Sequence, residues 1–229
     1  MKFTNIQHVF FDLDHTLWDF EKNSGLAFAS IFEKNRIEVA LQDFLEVYEP
    51  INFNYWKLYR EDKVSKSDLR YGRLKETFDA LKMTVSDEEI DRLSVDYIDH
   101  LPLYNHLLEG ATEILEYLHP NYKLHIITNG FSEVQSRKME SSGIDRFFTT
   151  VTTSEEVGVK KPGKEIFQAA LNKAAAQIEE SIMIGDSWEA DILGAKEIGM
   201  AAIFYNYSKK EFSADCHQVM EMKELVNFL

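Results

Sequence analysis

Cysteine is almost missing from this chain: Cys216 stands alone among 229 residues. A lone thiol excludes an internal disulfide framework, and with seven scattered histidines it makes no zinc knuckle, so the redox signal points to the cytosol. Four prolines and ten glycines are too few for a collagen-like or low-complexity chain. No stretch approaches the about eighteen consecutive apolar residues of a membrane span. The start, Met1 to Phe11, carries one lysine ahead of an apolar run that ends on Asp12, without the zones of a secretory signal. A cytoplasmic protein with no membrane partner is expected. Basic charge is also short, 25 Lys and Arg against 39 Asp and Glu for a net −14. That balance works against a nucleic-acid polymer as partner. A small phosphate ester stays open, because its pocket needs only a few local donors and a bound divalent cation adds charge of its own.

What is present is a globular composition, 45% apolar and 13% aromatic, with enough length to bury a large core. Either one large α/β domain or a main domain with a smaller insertion fits this size. His8 to Asp12 reads as a short strand buried on both faces and ending in acid. From Asn23 to about Leu107 the pattern is amphipathic and charged, with no convincing strand, and predicts four helices over 24–35, 43–60, 66–82 and 86–100. Ser86 and Glu89 have capping-box spacing. The mixed-charge stretch from Arg60 to Lys75 reads as a solvated helix face. After Gly110 helical and β-branched runs alternate: helices over 110–118, 132–142, 163–175 and 189–198, strands over 124–128, 148–152, 182–185 and 201–204. Gly143 and Gly199 sit at helix stops, and Ser132 with Gln135 suggests a second capping box. The alternation predicts a parallel sheet with helices on both faces. The first strand has no partner in the helical segment, so it joins that sheet. The helical block is then an insertion at the carboxyl edge, where open α/β sheets bind ligands.

Four motifs carry chemistry. Asp12 and Asp14, in Asp12-Leu13-Asp14-His15-Thr16, are two apart on an extended chain and can reach one point at the strand end. Their repulsion is tolerable if a cation lies between them or one stays protonated. A D-x-D-x-T string arises by chance in about one such chain in thirty. Thr128-Asn129-Gly130 ends another apolar run with a hydroxyl and backbone N–H groups suited to phosphate oxygens. Lys161, beside Pro162, could balance bunched carboxylates and hold an ester, and is preferred over Lys160. Ile182 to Asp191 contains G-D-S-x-x-x-D at the tip of a strand; Asp186 can reach the same cation as Asp12, and Asp191 suits a supporting or water-mediated role. His15 reads as a packing or hydrogen-bonding residue. Trp18, Phe20, Asn23 and Tyr104 lie near the joints of the insertion and are candidates for contacting substrate.

In this order the motifs resemble the haloacid dehalogenase-like hydrolase superfamily, over Val9 to Leu17 and about Leu108 to Phe204. The resemblance implies a Rossmann-like core (1–16 and 106–229) with an inserted α-helical cap (17–105). The stretches Phe11 to Asp19 and Gly158 to Phe167 are similar to the house-cleaning nucleotidases that act on pyrimidine 5′-monophosphates. The implied activity is Mg²⁺-dependent phosphomonoester hydrolysis through an aspartyl-phosphate, with a small phosphorylated metabolite as partner and a monomer or homodimer as the assembly. Asp12 is the nucleophile and Asp14 the general acid and base. Asp12, Asp186, Asp191 and the Asp14 backbone carbonyl serve the metal, and Thr128, Asn129, Gly130 and Lys161 hold the phosphoryl group. A sugar-phosphate phosphatase or phosphomutase, a 2-haloacid dehalogenase and a catalytically silent binding protein are the alternatives. Asp14 argues against the dehalogenase, since halide departs without a proton.

Overall fold

The first apolar run forms β1 (His8–Phe11), buried at all four residues, as a strand covered on both faces requires. The computed structural model describes residues 2–209, 211 and 215–229. Four helices follow β1: α1 (Phe20–Asn35), α2 (Leu41–Arg60), α3 (Lys66–Ala80) and α4 (Asp87–His100). The chain then alternates through α5 (Ala111–Leu118), β2 (Lys123–Thr128), α6 (Ser132–Ser142), β3 (Phe148–Thr153), α7 (Ser154–Val157), α8 (Lys164–Ala174) and β4 (Ser181–Gly185). A π turn at Trp188–Leu193 runs into α9 (Gly194–Glu197), and β5 (Ala201–Tyr205) and β6 (His217–Val219) complete the sheet.

All six strands are parallel, in the order β3-β2-β1-β4-β5-β6. β1 lies inside the sheet: Phe11 is in register with Ile126 on β2 and with Ile184 on β4. The chain builds outward from β1 to β3, then returns to β1's other side with β4. The carboxyl end of β1 is therefore the topological switch point at which such sheets bind ligands. Phe10, Ile127 and Met183 pack with Ile166, Phe167 and Ala170 of α8 into one apolar cluster. Gly143 and Gly199 adopt the left-handed conformation where α6 and α9 stop (φ 68° and 84°).

By contacts the chain divides into two compact units, Met1–Phe20 with Asn105–Leu229, and Glu21–Tyr104. The crossing falls after Phe20, four residues beyond the sequence expectation, because Leu17 and Trp18 are fully buried and laced to the returning chain. Leu108 N–H donates to Leu17 O at 2.9 Å, and Asp19 N–H to His106 O at 3.1 Å.

The helical unit has an aromatic centre. Phe28 on α1 meets Phe44 and Tyr48 of α2 and Tyr97 of α4, with centroids 4.5 to 4.7 Å apart. Ser86 caps α4 by accepting the Glu89 N–H, without a reciprocal bond; the full capping box belongs instead to Ser65 and Asp68 on α3. Arg73, expected on a solvated face, is buried with its guanidinium 4.9 Å from the Tyr97 ring. No described helix is long and apolar enough to cross a membrane.

Candidate active site

The parallel sheet sets the ends of β1, β2 and β4 side by side, and each carries a motif. Asp12 N–H donates to Ile184 O at 2.9 Å, so the strand pairing continues one residue past β1. The chain then turns tightly, with Trp18 N–H donating to Leu13 O and His15 in the left-handed region at φ 60°. Thr16 faces the β4 tip: its hydroxyl donates to Asp186 Oδ1 and accepts the Asp186 N–H, both at 3.1 Å.

Asp12, Asp186 and Asp191 each present an oxygen within 4.8 Å of the others. Lys161, 2% exposed, places Nζ 2.6 Å from Asp12 Oδ1, 2.7 Å from Asp191 Oδ1 and 2.7 Å from Ile127 O. Burial alone pulls the Lys161 ammonium down, but the Asp12 and Asp191 carboxylates outweigh it and push its pKa up. Burial drives the Asp12 carboxyl up to about 8; Lys161 opposes the rise, and Asp191 and Asp186 add to it. Asp186 is likewise pushed up to about 8, by burial first and Asp191 second. Three carboxylates against one ammonium are short of positive charge. A hard divalent cation such as Mg²⁺, which takes oxygen ligands, fits this donor set.

Asp191 has direct partners in the cluster. It is fully buried, pairs directly with Lys161, and accepts the Ser187 N–H at 3.0 Å. The π turn and Gly185 make this possible, since a Cβ at Gly185 would lie 2.2 Å from Asp191 Oδ2.

The Asp14 carboxylate lies outside that cluster. Its Oδ1 is 2.6 Å from Lys138 Nζ, and its Oδ2 accepts from Gln135 Nε2 at 2.9 Å. Gln135 Nε2 is also 2.9 Å from Thr128 Oγ1. A Cβ at Gly130 would meet this amide at 2.4 Å, so any larger residue there would have to displace the Gln135 side chain. Thr128 Oγ1 accepts the Gly130 N–H at 3.0 Å, closing the turn with its own side chain. That N–H is engaged within the turn. The Asn129 side chain bonds the Lys161 backbone twice, accepting N–H at 2.8 Å and donating to the carbonyl at 3.0 Å, and so positions the lysine.

Sequence reasoning missed Gln135 and Lys138. The expected Ser132–Gln135 capping box does not form; Phe131 occupies the N-cap, the Ser132 hydroxyl pairs with Thr153 at 2.6 Å, and Gln135 turns to Asp14. The signal was two polar residues three apart on one face of a helix just after a phosphate-type turn. Of the candidates for contacting substrate, Trp18 is fully buried with Lys138 Nζ 4.4 Å from its ring, and Asn23 is fully buried in the helical unit. Neither offers a surface. Phe20 is half-buried against His15 and Lys138, and Tyr104 is half-buried at the end of the helical unit. His15 accepts or donates at 3.2 Å to the Tyr207 hydroxyl and stacks on its ring.

Comparison with known proteins agrees with this geometry. The family model described as haloacid dehalogenase-like hydrolase matches residues 6–199. Pyrimidine 5′-nucleotidase YjjG of Escherichia coli is 32% identical over 89% of this chain and 87% of its own length. A glyceraldehyde 3-phosphate phosphatase of Methanothermobacter thermautotrophicus is 33% identical over 92% and 90%. The crystal structure of the putative HAD-hydrolase YfnB of Bacillus subtilis, bound to magnesium, superposes with a TM-score of 0.88 at 26% identity, covering 98% of both chains.

Proposed function

The chain belongs to the haloacid dehalogenase-like hydrolase family, and from that premise we propose that it is a Mg²⁺-dependent phosphomonoesterase whose leading substrates are nucleoside 5′-monophosphates. The observation that carries the phosphatase reading is the separation of two acidic roles at one strand end. Asp12 lies in the cation-type cluster with Asp186, Asp191 and Lys161, while Asp14 is held apart by Lys138 and Gln135. An ester needs both roles, because its leaving oxygen takes up a proton; departure of halide needs only the first.

In the proposed reaction an Asp12 oxygen bonds to phosphorus as the ester P–O bond breaks, and Asp14 gives its proton to the departing alkoxide. Asp14 then takes a proton from water as that water's oxygen bonds to phosphorus and the Asp12 acyl-phosphate bond breaks, releasing inorganic phosphate. Lys161 and the Thr128 hydroxyl would hold phosphoryl oxygens, so catalysis is mainly positioning and charge neutralisation. Mg²⁺ held by Asp12, Asp186 and the Asp14 backbone carbonyl, with Asp191 supporting, would keep Asp12 ionised and offset phosphoryl charge. The unit Glu21–Tyr104 is assigned as the family's helical cap.

Turnover of para-nitrophenyl phosphate with Mg²⁺, with EDTA, and by Asp12→Asn tests the chemistry. Activity is expected only in the first case, and equal rates in all three would defeat the nucleophile and metal assignments together. A second substrate reading is favoured by the similarity to a glyceraldehyde 3-phosphate phosphatase. A panel containing UMP, dTMP and glyceraldehyde 3-phosphate separates the two: higher kcat/KM on the triose phosphate would reject the nucleotidase reading.

A further inference from the structure

We propose that Lys138 and Gln135 are positioning residues that set the Asp14 carboxylate for proton transfer to the leaving group. The inference rests on the phosphatase reading above and deepens it. Both oxygens of Asp14 are claimed, Oδ1 by the Lys138 ammonium at 2.6 Å and Oδ2 by the Gln135 amide at 2.9 Å. Two bonds from different side chains fix both the χ1 and χ2 torsions of an aspartate, which one bond would not do.

The clamp is itself rigidly held. Both residues project from one face of α6, three apart, and the Gln135 amide is shared with Thr128 Oγ1, which binds Asp14's orientation to the end of β2. Lys138 is 2% exposed, and its Nζ lies 4.4 Å from the Trp18 ring centre and 5.3 Å from that of Phe20. The two aromatic faces and the Asp14 carboxylate restrict where the ammonium can sit.

These residues also carry a cost that a purely packing role would avoid. A buried ammonium is unfavourable unless paired, and Gln135 Oε1 is buried with no partner among the described residues. Leucine or methionine could fill either site without that penalty. The amide cannot simply turn over, since its oxygen would then face the Asp14 carboxylate. What the side chains supply instead is geometry at a proton-transfer group, where a small displacement has a large kinetic effect.

A positioning role has a signature that loss of folding lacks, because kcat/KM reports only the steps through phosphoryl transfer to Asp12. An alkyl ester such as UMP needs a proton delivered to its leaving oxygen. Para-nitrophenolate leaves without one. Lys138→Met should therefore lower kcat/KM on UMP by about 10- to 100-fold while leaving kcat/KM on para-nitrophenyl phosphate within about 3-fold. Asp14→Asn should lose more kcat/KM on UMP than on para-nitrophenyl phosphate, and Asp14→Asn with Lys138→Met should be no worse than Asp14→Asn alone. Should Lys138→Met fail to fold, Gln135→Leu carries the same test. Equal losses on both esters, or a variant indistinguishable from the unaltered chain while Asp14→Asn is impaired, would overturn the positioning role and leave the phosphatase reading standing. No Mg²⁺-dependent turnover of either ester by the unaltered chain would overturn both.

Discussion

Thr16 and Asp186, 170 residues apart in sequence, exchange two hydrogen bonds of 3.1 Å: the threonine hydroxyl donates to Oδ1 and accepts the aspartate's own N–H. The pair joins the β1 turn to the β4 tip and fixes the direction of a carboxylate assigned to the cation. Groups that orient a metal ligand typically affect affinity by about 10- to 100-fold. Thr16→Val keeps the shape and removes both bonds, so the Mg²⁺ concentration giving half-maximal activity should rise by about that factor. Thr16→Ser should stay close to the unaltered protein. A Mg²⁺ titration of both variants checks this, and identical midpoints would show that Asp186 needs no such support.

Gly185 is the second point where backbone decides chemistry. A methyl group there would sit 2.2 Å from Asp191 Oδ2, and Asp191 is one of the two carboxylates that hold Lys161. Gly185→Ala must therefore displace Asp191, with Lys161 following it. Turnover should fall about 100-fold, the scale of a 1 Å misplacement at a reacting centre, and stability by about 1–3 kcal/mol from overpacking. Steady-state kinetics and denaturant unfolding measure the two; an alanine variant of full activity would mean that Asp191 can rotate freely.

The arrangement of β1, β2 and β4 was legible because buried runs ending in acid or hydroxyl are rare and their order is informative. Strands of four to six residues stood out from the sequence. β6 did not, since His217, Gln218 and Val219 are three residues with no apolar alternation, and only the neighbouring β5 makes them a strand. At the site, Lys161 was readable from Pro162 beside it and Asp186 from its strand tip. Lys138, Gln135 and the direct pairing of Asp191 with Lys161 were not. Each depends on the direction in which a side chain leaves a helical turn, and a π turn rather than an ordinary helix carries Asp191. Arg73 misled for a related reason: charge patterning marks a solvated face, but tyrosines from α2 and α4 and the Asn52 side-chain Oδ1, 2.9 Å away, give this guanidinium a buried place.

Beneath the site, His8 Nδ1 and His125 Nε2 lie 3.0 Å apart inside the sheet, and His125 Nδ1 is 2.8 Å from the Thr150 hydroxyl. Burial pulls the His125 pKa down to about 4, helped by His8 and Lys123, and burial also lowers His8. Such imidazoles are neutral when folded and titrate near 6.5 when unfolded. Between about 6.5 and about 4 the unfolded chain binds more protons, so the stability they contribute is complete above about 6.5 and is lost as pH falls toward about 4. The buried Asp12 and Asp186 carboxyls act in the opposite sense, so the difference from a variant isolates the histidine. The Tm of the unaltered protein minus that of His125→Leu should fall by several degrees between pH 7.5 and pH 5. A difference independent of pH would mean that His125 titrates alike in both states.

Phe28 is the pivot of the helical unit, fully buried, with Phe32, Phe44, Tyr48 and Tyr97 all within 5.6 Å of its ring centre. Removing the ring leaves a void bounded by three helices whose remaining aromatics are fixed against one another, so the space cannot collapse fully. Phe28→Ala should cost about 3–5 kcal/mol. Phe28→Leu keeps most of the volume and should cost less. The chain passes through this unit between two segments of one sheet-bearing unit, so the loss can appear in two ways. If the units unfold together, a single denaturant transition should move to a lower midpoint with unchanged slope; if the helical unit opens first, the transition should split, with helical ellipticity lost before the core. A Phe28→Ala protein with the unaltered midpoint and slope would mean that the aromatic cluster contributes no stability of its own.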